Sequence, residues 1–195
     1  MLNQLIVDGP TIRELIDSDC RIGLNLSEAD LRHGDFVRYL IEAIDDSALS
    51  PRNITIELTE TMLIDARSQV HAALALLDEC GFTICLDDFG TGFSSLTHLR
   101  AFPIHKVKID RDFISGISED HQSRLIVQAI MQMSQSLGLR VVAEGVETEE
   151  QEIFLRAIGC RHVQGYRYGR PALIADLRAQ FDMPDELLPA ARRRA

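Results

Sequence analysis

No stretch of the sequence approaches the roughly 20 apolar residues that a membrane-spanning helix needs. The first ten residues, MLNQLIVDGP, have neither the basic start nor the apolar run of a signal peptide. The four cysteines, Cys20, Cys80, Cys85 and Cys160, include no C-x-x-C pair and no zinc spacing. With Cys85 inside a strand pattern, they read as a reduced, structural set in a cytoplasmic protein. The six histidines form no H-x-x-x-H, which argues against a zinc centre built on them. Positive charge is scarce: 20 Lys and Arg face 30 Asp and Glu, a net charge of -10. This balance argues against a nucleic-acid polymer as partner. A phosphate-bearing substrate would need a local cation, either metal or lysine.

What is present suffices for one domain with a core: 195 residues, 46% of them hydrophobic, with 12 Gly and 6 Pro. The domain is expected over 1–182. The tail 183–195, ending ARRRA, reads as a frayed end. No linker, low-complexity segment or short repeat divides the chain.

Short apolar runs alternate with amphipathic ones. The predicted strands are RIGLNLS, NITIELTE, FTICLDD, HKVKID, LRVVAEG and HVQGY. Between them, GDFVRYLIEAI puts Phe36, Tyr39, Leu40, Ala43 and Ile44 on one helical face. SRLIVQAIMQMSQSL does the same with Leu125, Ile126, Ala129, Ile130, Met133 and Leu137. Thr148 to Gln151 spell a capping box for a helix ending near Gly159, and Asp65 reads as the cap of a helix through Leu77. PALIADL opens a last helix with proline at its start. Such alternation means an α/β architecture on a parallel sheet, open or barrel.

Strand parity separates core from site, because successive side chains point to opposite faces. Ile22, Leu24 and Leu26 share one face of the first strand, leaving Gly23, Asn25 and Ser27 opposite. Ile54, Ile56 and Leu58 oppose Thr55, Glu57 and Thr59; Ile84 and Leu86 oppose Thr83, Cys85 and Asp87. Val107 and Ile109 oppose Lys106, Lys108 and Asp110; Val141 and Ala143 oppose Val142 and Glu144; Val163 opposes His162 and Gln164. A doubly wound sheet buries both faces of its strands. Here one face turns polar towards the C-terminal ends, which fits a TIM-like barrel with chemistry at the top.

Asn25, Glu57, Asp87, Lys108, Glu144 and Gln164 then converge. Three carboxylates and an amide oxygen make an oxygen-only site suited to Mg²⁺ or Mn²⁺. Asp88, beside Asp87, lets one pair of residues bridge two ions, with Glu144 on the second. Two such metals activate a water and clamp the leaving oxygen of a phosphodiester, while Lys108 holds that water or balances phosphate charge. Taken singly, an aspartate pair before a glycine turn is more often a turn or a cap. Six polar residues coinciding at strand ends outweigh that. The DFG triplet at Asp88 to Gly90 lacks the other signatures of a kinase.

The motifs NLS (Asn25 to Ser27), ELTE (Glu57 to Glu60), DDFGTGFSSL (Asp87 to Leu96), KID (Lys108 to Asp110), AEGVET (Ala143 to Thr148) and QGY (Gln164 to Tyr166) run in this order along the chain. Together they resemble the EAL family of cyclic di-GMP phosphodiesterases, TIM-like barrels that linearise the dinucleotide with Mg²⁺ or Mn²⁺. The resemblance implies that Asn25, Glu57 and Asp87 bind the first metal, and that Asp87, Asp88 and Glu144 surround the second. It puts Lys108 at the catalytic water and Glu147 and Gln164 in support of the site or ligand. It makes Glu60 a brace for the loop Phe89 to Leu96, which in this family couples the site to dimerisation.

The sequence departs from the family in one respect. No Glu-Ala-Leu tripeptide precedes NLS, and its glutamate is a first-metal ligand in the family. A (β/α)₈ barrel typically takes about 250 residues, and six strands are predicted here. The resemblance therefore implies an incomplete barrel lacking the first strands, with two open sheet edges that favour a homodimer or larger assembly. Impaired hydrolysis of cyclic di-GMP to the linear dinucleotide is expected. The alternative is a non-catalytic receptor for cyclic di-GMP or a protein-interaction regulator. Enolase-type lyase chemistry on the same residue types fits the linked motifs least.

Overall fold

The computed structural model describes residues 2–16, 21–64, 68–90, 99, 101–174 and 176. Among them are six strands: β1 (Ile22–Asn25), β2 (Ile54–Thr59), β3 (Thr83–Phe89), β4 (Lys106–Ile109), β5 (Arg140–Ala143) and β6 (His162–Val163). Every pairing is parallel and the order is β1-β2-β3-β4-β5-β6, so each strand lies beside its neighbour in sequence. The sheet curls into half of a barrel. All six predicted strands are present, β6 at two residues the shortest.

The outer face carries the core. Ile54, Ile56, Ile84, Leu86, Val107, Ile109 and Ala143 have no measurable exposure. Removing each such side chain from water contributes about 1.5–3 kcal/mol. The described helices are α1 (Leu2–Ile16), α2 (Glu28–Arg32), α3 (Gly34–Asp45), α4 (Thr61–Ile64), α5 (Ser68–Glu79), α6 (Arg111–Gly116), α7 (His121–Ser136) and α8 (Glu149–Ala157). Of these, α5 packs on β3 and α7 on β4 and β5, while α2 packs on α3 and α5. The predicted capping box holds: Thr148 Oγ1 accepts from Gln151 N, and Gln151 Oε1 accepts from Thr148 N. Asp65 lies outside the described residues, as do the tail 183–195 and Cys20. In PALIADL the expected helix start is displaced: Pro171, Ala172 and Leu173 are not helical, and helix is first present at Ile174. Cys80, Cys85 and Cys160 are free thiols. No described helix is long and apolar enough to cross a membrane.

Two predicted helix faces need correction. In α3 the buried stripe is Val37, Leu40 and Ile44, and Tyr39 stands half in water at 52% exposure. In α7 the buried residues are Val127, Ile130, Met131 and Ser134, while Leu125 and Ile126 are 51% and 40% exposed. So rich an apolar run holds two overlapping stripes at helical spacing, and the sequence pattern alone selects neither. The start of α7 does. Asp120 accepts from the backbone N–H groups of Gln122 and Ser123. Arg124 donates to the carbonyls of Ile117 and Ser118 and lies over the Phe154 ring of α8. Anchoring Arg124 inward rotates Leu125 and Ile126 outward.

Candidate active site

The C-terminal ends of β2, β3, β4 and the turn after β5 bring together one lysine and four carboxylates. Lys108, third residue of β4, is 6% exposed. Its Nζ lies 3.1 Å from Glu57 Oε2, 3.2 Å from Asp87 Oδ2 and 2.7 Å from Glu144 Oε1. Burial draws the ammonium down. The hydrogen bond to Glu144 and the charges of Glu57, Glu144 and Asp87 prevail and hold Lys108 above its ordinary value. It remains protonated at neutral pH and donates to three acceptors. Glu144 is raised instead, because burial outweighs its bond to Lys108 and Asp87 and Glu57 add repulsion.

The fourth carboxylate reaches the site against strand parity. Adjacent strand residues should point opposite ways, but Asp88 has a φ of 52°, in the left-handed region, and the β3–β4 register shifts between Leu86 and Phe89. The bulge turns Asp88 towards Asp87. Asp88 N–H donates to Asp87 Oδ1 at 3.0 Å. A β-type aspartate held at positive φ stores strain of a kind found at functional sites. Asp87, Asp88 and Glu144 each offer a carboxylate oxygen within 4.8 Å of the others. Burial raises the Asp88 carboxyl first, then the Asp87 charge, then a hydrogen bond with Asp110.

The surrounding residues fix these positions. Glu60, 2% exposed, accepts from Gly90 N at 3.1 Å and so ties the end of β2 to the turn after β3. The loop beyond Gly90 that Glu60 was expected to brace lies outside the described residues. Gly165 is required by close approach, since a Cβ there would sit 2.2 Å from Val146 O. That approach lets Gln164 O accept from Val146 N and Gln164 N donate to Ala143 O. Gln164 is exposed and lines a cavity of about 420 Å³ together with Glu57 and Lys108. Asn25 ends β1 beside Glu57 in register. Glu147 is exposed, and its backbone N–H joins the α8 cap through Gln151 Oε1.

Sequence reasoning did not assign Asp110 a role. It caps α6 through Asp112 N at 2.7 Å and reaches Asp88. Strand parity placed it on the inner face; only a bulge that swings Asp88 across makes the two meet.

An oxygen-only cluster of this kind fits a hard divalent cation better than zinc. Residues 1–171 match the family model described as the EAL domain. The chain belongs to the EAL domain family. It is 40% identical over 157 residues to the cyclic di-GMP phosphodiesterase NbdA of Pseudomonas aeruginosa, covering 80% of this chain and 20% of NbdA. The solved cyclic di-GMP complex of the phosphodiesterase MucR, from the same organism, superposes with a TM-score of 0.84 at 35% identity. That likeness covers 90% of this chain and 71% of the MucR chain. BlrP1 of Klebsiella pneumoniae, solved with manganese and the cyclic dinucleotide, matches with a TM-score of 0.80 at 32% identity over 89% of this chain and 43% of its own. The chain spans about a fifth of the length of NbdA and of a signalling protein of Caulobacter vibrioides to which it is 42% identical. The EAL fold is a TIM-type barrel, so the half-barrel agrees with the expected class.

Proposed function

We propose that this EAL domain binds Mg²⁺ or Mn²⁺ and cyclic di-GMP and hydrolyses one phosphodiester of the dinucleotide to the linear product. The observation that carries this is Lys108 held by Glu57, Asp87 and Glu144, with Asp88 swung in beside them. Asn25, Glu57 and Asp87 would hold one cation, and Asp87, Asp88 and Glu144 a second. When bound, the cations would supply Lewis acidity that acidifies a water and offsets charge on the leaving oxygen.

The residues of the chain do the remainder. Lys108, kept charged by its neighbours, donates to the attacking water or to a phosphate oxygen and cannot serve as base. Glu144, whose Oε1 lies 2.7 Å from Lys108 Nζ, would accept a hydrogen bond from the attacking water at its other oxygen. Glu60 steadies Gly90 beside the aspartate pair. Gln164 and Glu147, both exposed at the mouth, orient the ligand.

The alternative is a domain that binds the dinucleotide without hydrolysing it. The domain also self-associates. The support is on α7, which presents Leu125 and Ile126 to solvent.

Chromatography of cyclic di-GMP incubated with the domain and Mn²⁺, beside a binding isotherm, tests the reading. Linear dinucleotide that forms with Mn²⁺ and disappears with Glu144→Ala is expected. Binding without any product supports the receptor reading, and neither binding nor product overturns both.

A further inference from the structure

Gln151, in the first turn of α8, is a polar side chain with only 5% exposure. A capping box asks one bond of the residue at this position, from its side-chain oxygen to the N-cap N–H. Thr148 N supplies that bond at 3.0 Å. The amide makes two more. Oε1 also accepts from Glu147 N at 2.8 Å, and Nε2 donates to Ile114 O of α6 at 3.3 Å. Donors on one side and a carbonyl on the other admit a single orientation of the amide. The additional bonds join α6 to the turn that carries Glu144 and Glu147 from β5 to α8. That turn already lies close against α6: Gly145 has a φ of 72°, and a Cβ on it would sit 2.6 Å from Arg111 Cβ. Glu144 N donates to Ile109 O and Val146 N to Gln164 O, so the neighbouring strands hold the turn as far as Val146. The next N–H, that of Glu147, ends on Gln151.

We propose that Gln151 is a positioning residue for cyclic di-GMP: buried between α6 and the turn, it fixes the backbone of Glu147 and thereby the place where that carboxylate meets the ligand. The assignment rests on the phosphodiesterase reading, in which Glu147 orients the dinucleotide. Gln151 itself is closed off from solvent and acts through its neighbour. An exposed glutamate on a fixed backbone loses less freedom on binding than one on a loose turn, so its contact with the ligand is stronger.

The test measures cyclic di-GMP with Mn²⁺ on the full chain, as KM where product forms and as Kd where it only binds, with Tm recorded beside it. Gln151→Met, similar in shape and without the amide, should raise KM or Kd about five- to tenfold. Thr148→Ala removes the hydroxyl half of the box and leaves both Oε1 bonds. It should lower Tm by about 2–6 °C and keep KM or Kd within about twofold of wild type. Gln151→Glu keeps an acceptor for Glu147 N and should recover most of the affinity, although its second oxygen faces Ile114 O and lowers Tm. In a Glu147→Ala background, Gln151→Met should weaken the ligand no further. A merely structural residue behaves otherwise: its loss lowers the active fraction, hence kcat or stoichiometry, and leaves KM and Kd in place. Unchanged KM or Kd in Gln151→Met, or an equal effect with and without Glu147, overturns the positioning role alone. A wild-type chain that neither binds nor hydrolyses the dinucleotide overturns the functional reading and the role together.

Discussion

At the scale of single residues, the site is a charge balance around Lys108. Its ammonium neutralises part of a charge that Glu57, Asp87 and Glu144 could not otherwise keep within hydrogen-bond reach. Removing one partner from a buried ionic group typically costs about 3–5 kcal/mol. Lys108→Met should therefore destabilise the metal-free chain by about that amount in urea unfolding, and added Mn²⁺ should restore most of it. If the loss persists unchanged with saturating Mn²⁺, the lysine and the cation do not share one anionic site.

The pH dependence follows from the signs. Asp88 and Glu144 titrate above their ordinary values in the folded chain, so between those ordinary values, 3.8 and 4.5, and the raised ones the folded state binds more protons than the unfolded. Stability falls as pH rises through that window. Asp120 and Glu152 are lowered by their hydrogen bonds, and their contribution is lost on acidification below the same ordinary values. The metal-free chain should thus be most stable near the boundary between the two windows. Calorimetric scans at a series of pH values would show it, with Asp88→Asn flattening the alkaline side. An Asp88→Asn profile that keeps the full decline would remove Asp88 from this account.

At the scale of elements, the sequence spelled out the strands and their faces because a period of two leaves little choice. Ile54, Ile56 and Leu58 point outward together or inward together, and their burial on the outer face brings Glu57 and the other polar residues to the inner one. The helices were less legible. α7 holds enough apolar residues for two stripes, and tertiary anchors at Asp120 and Arg124 decide between them. Asp88 was misdirected by the same parity rule that placed Asp87, since a one-residue bulge leaves no trace in a hydrophobic pattern. Its place beside Asp87 in the two-cation reading came from adjacency in the sequence, and the motif resemblance implied the same. The two faces of α7 can be separated experimentally. Met131→Ala, at 3% exposure, should cost about 2–5 kcal/mol. Leu125→Glu should leave the unfolding free energy nearly unchanged and shift a concentration-dependent dimer towards monomer in light scattering. A wild-type chain that stays monomeric at high concentration would contradict self-association.

At the scale of the whole molecule, six parallel strands form one curled sheet. Its C-terminal ends gather carboxylates around Lys108. One apolar outer face, packed against the helices, holds those ends in place. In the proposed reading the carboxylate end is a divalent-cation site organised by Asp87, which touches both Lys108 and Asp88. Isothermal calorimetry of Mn²⁺ binding to the wild-type chain and to Asp87→Asn tests it most directly. Saturable binding with proton release is expected in the wild type, weakened at least about tenfold by the substitution. Equal affinity in the two chains, with both folded, would contradict it.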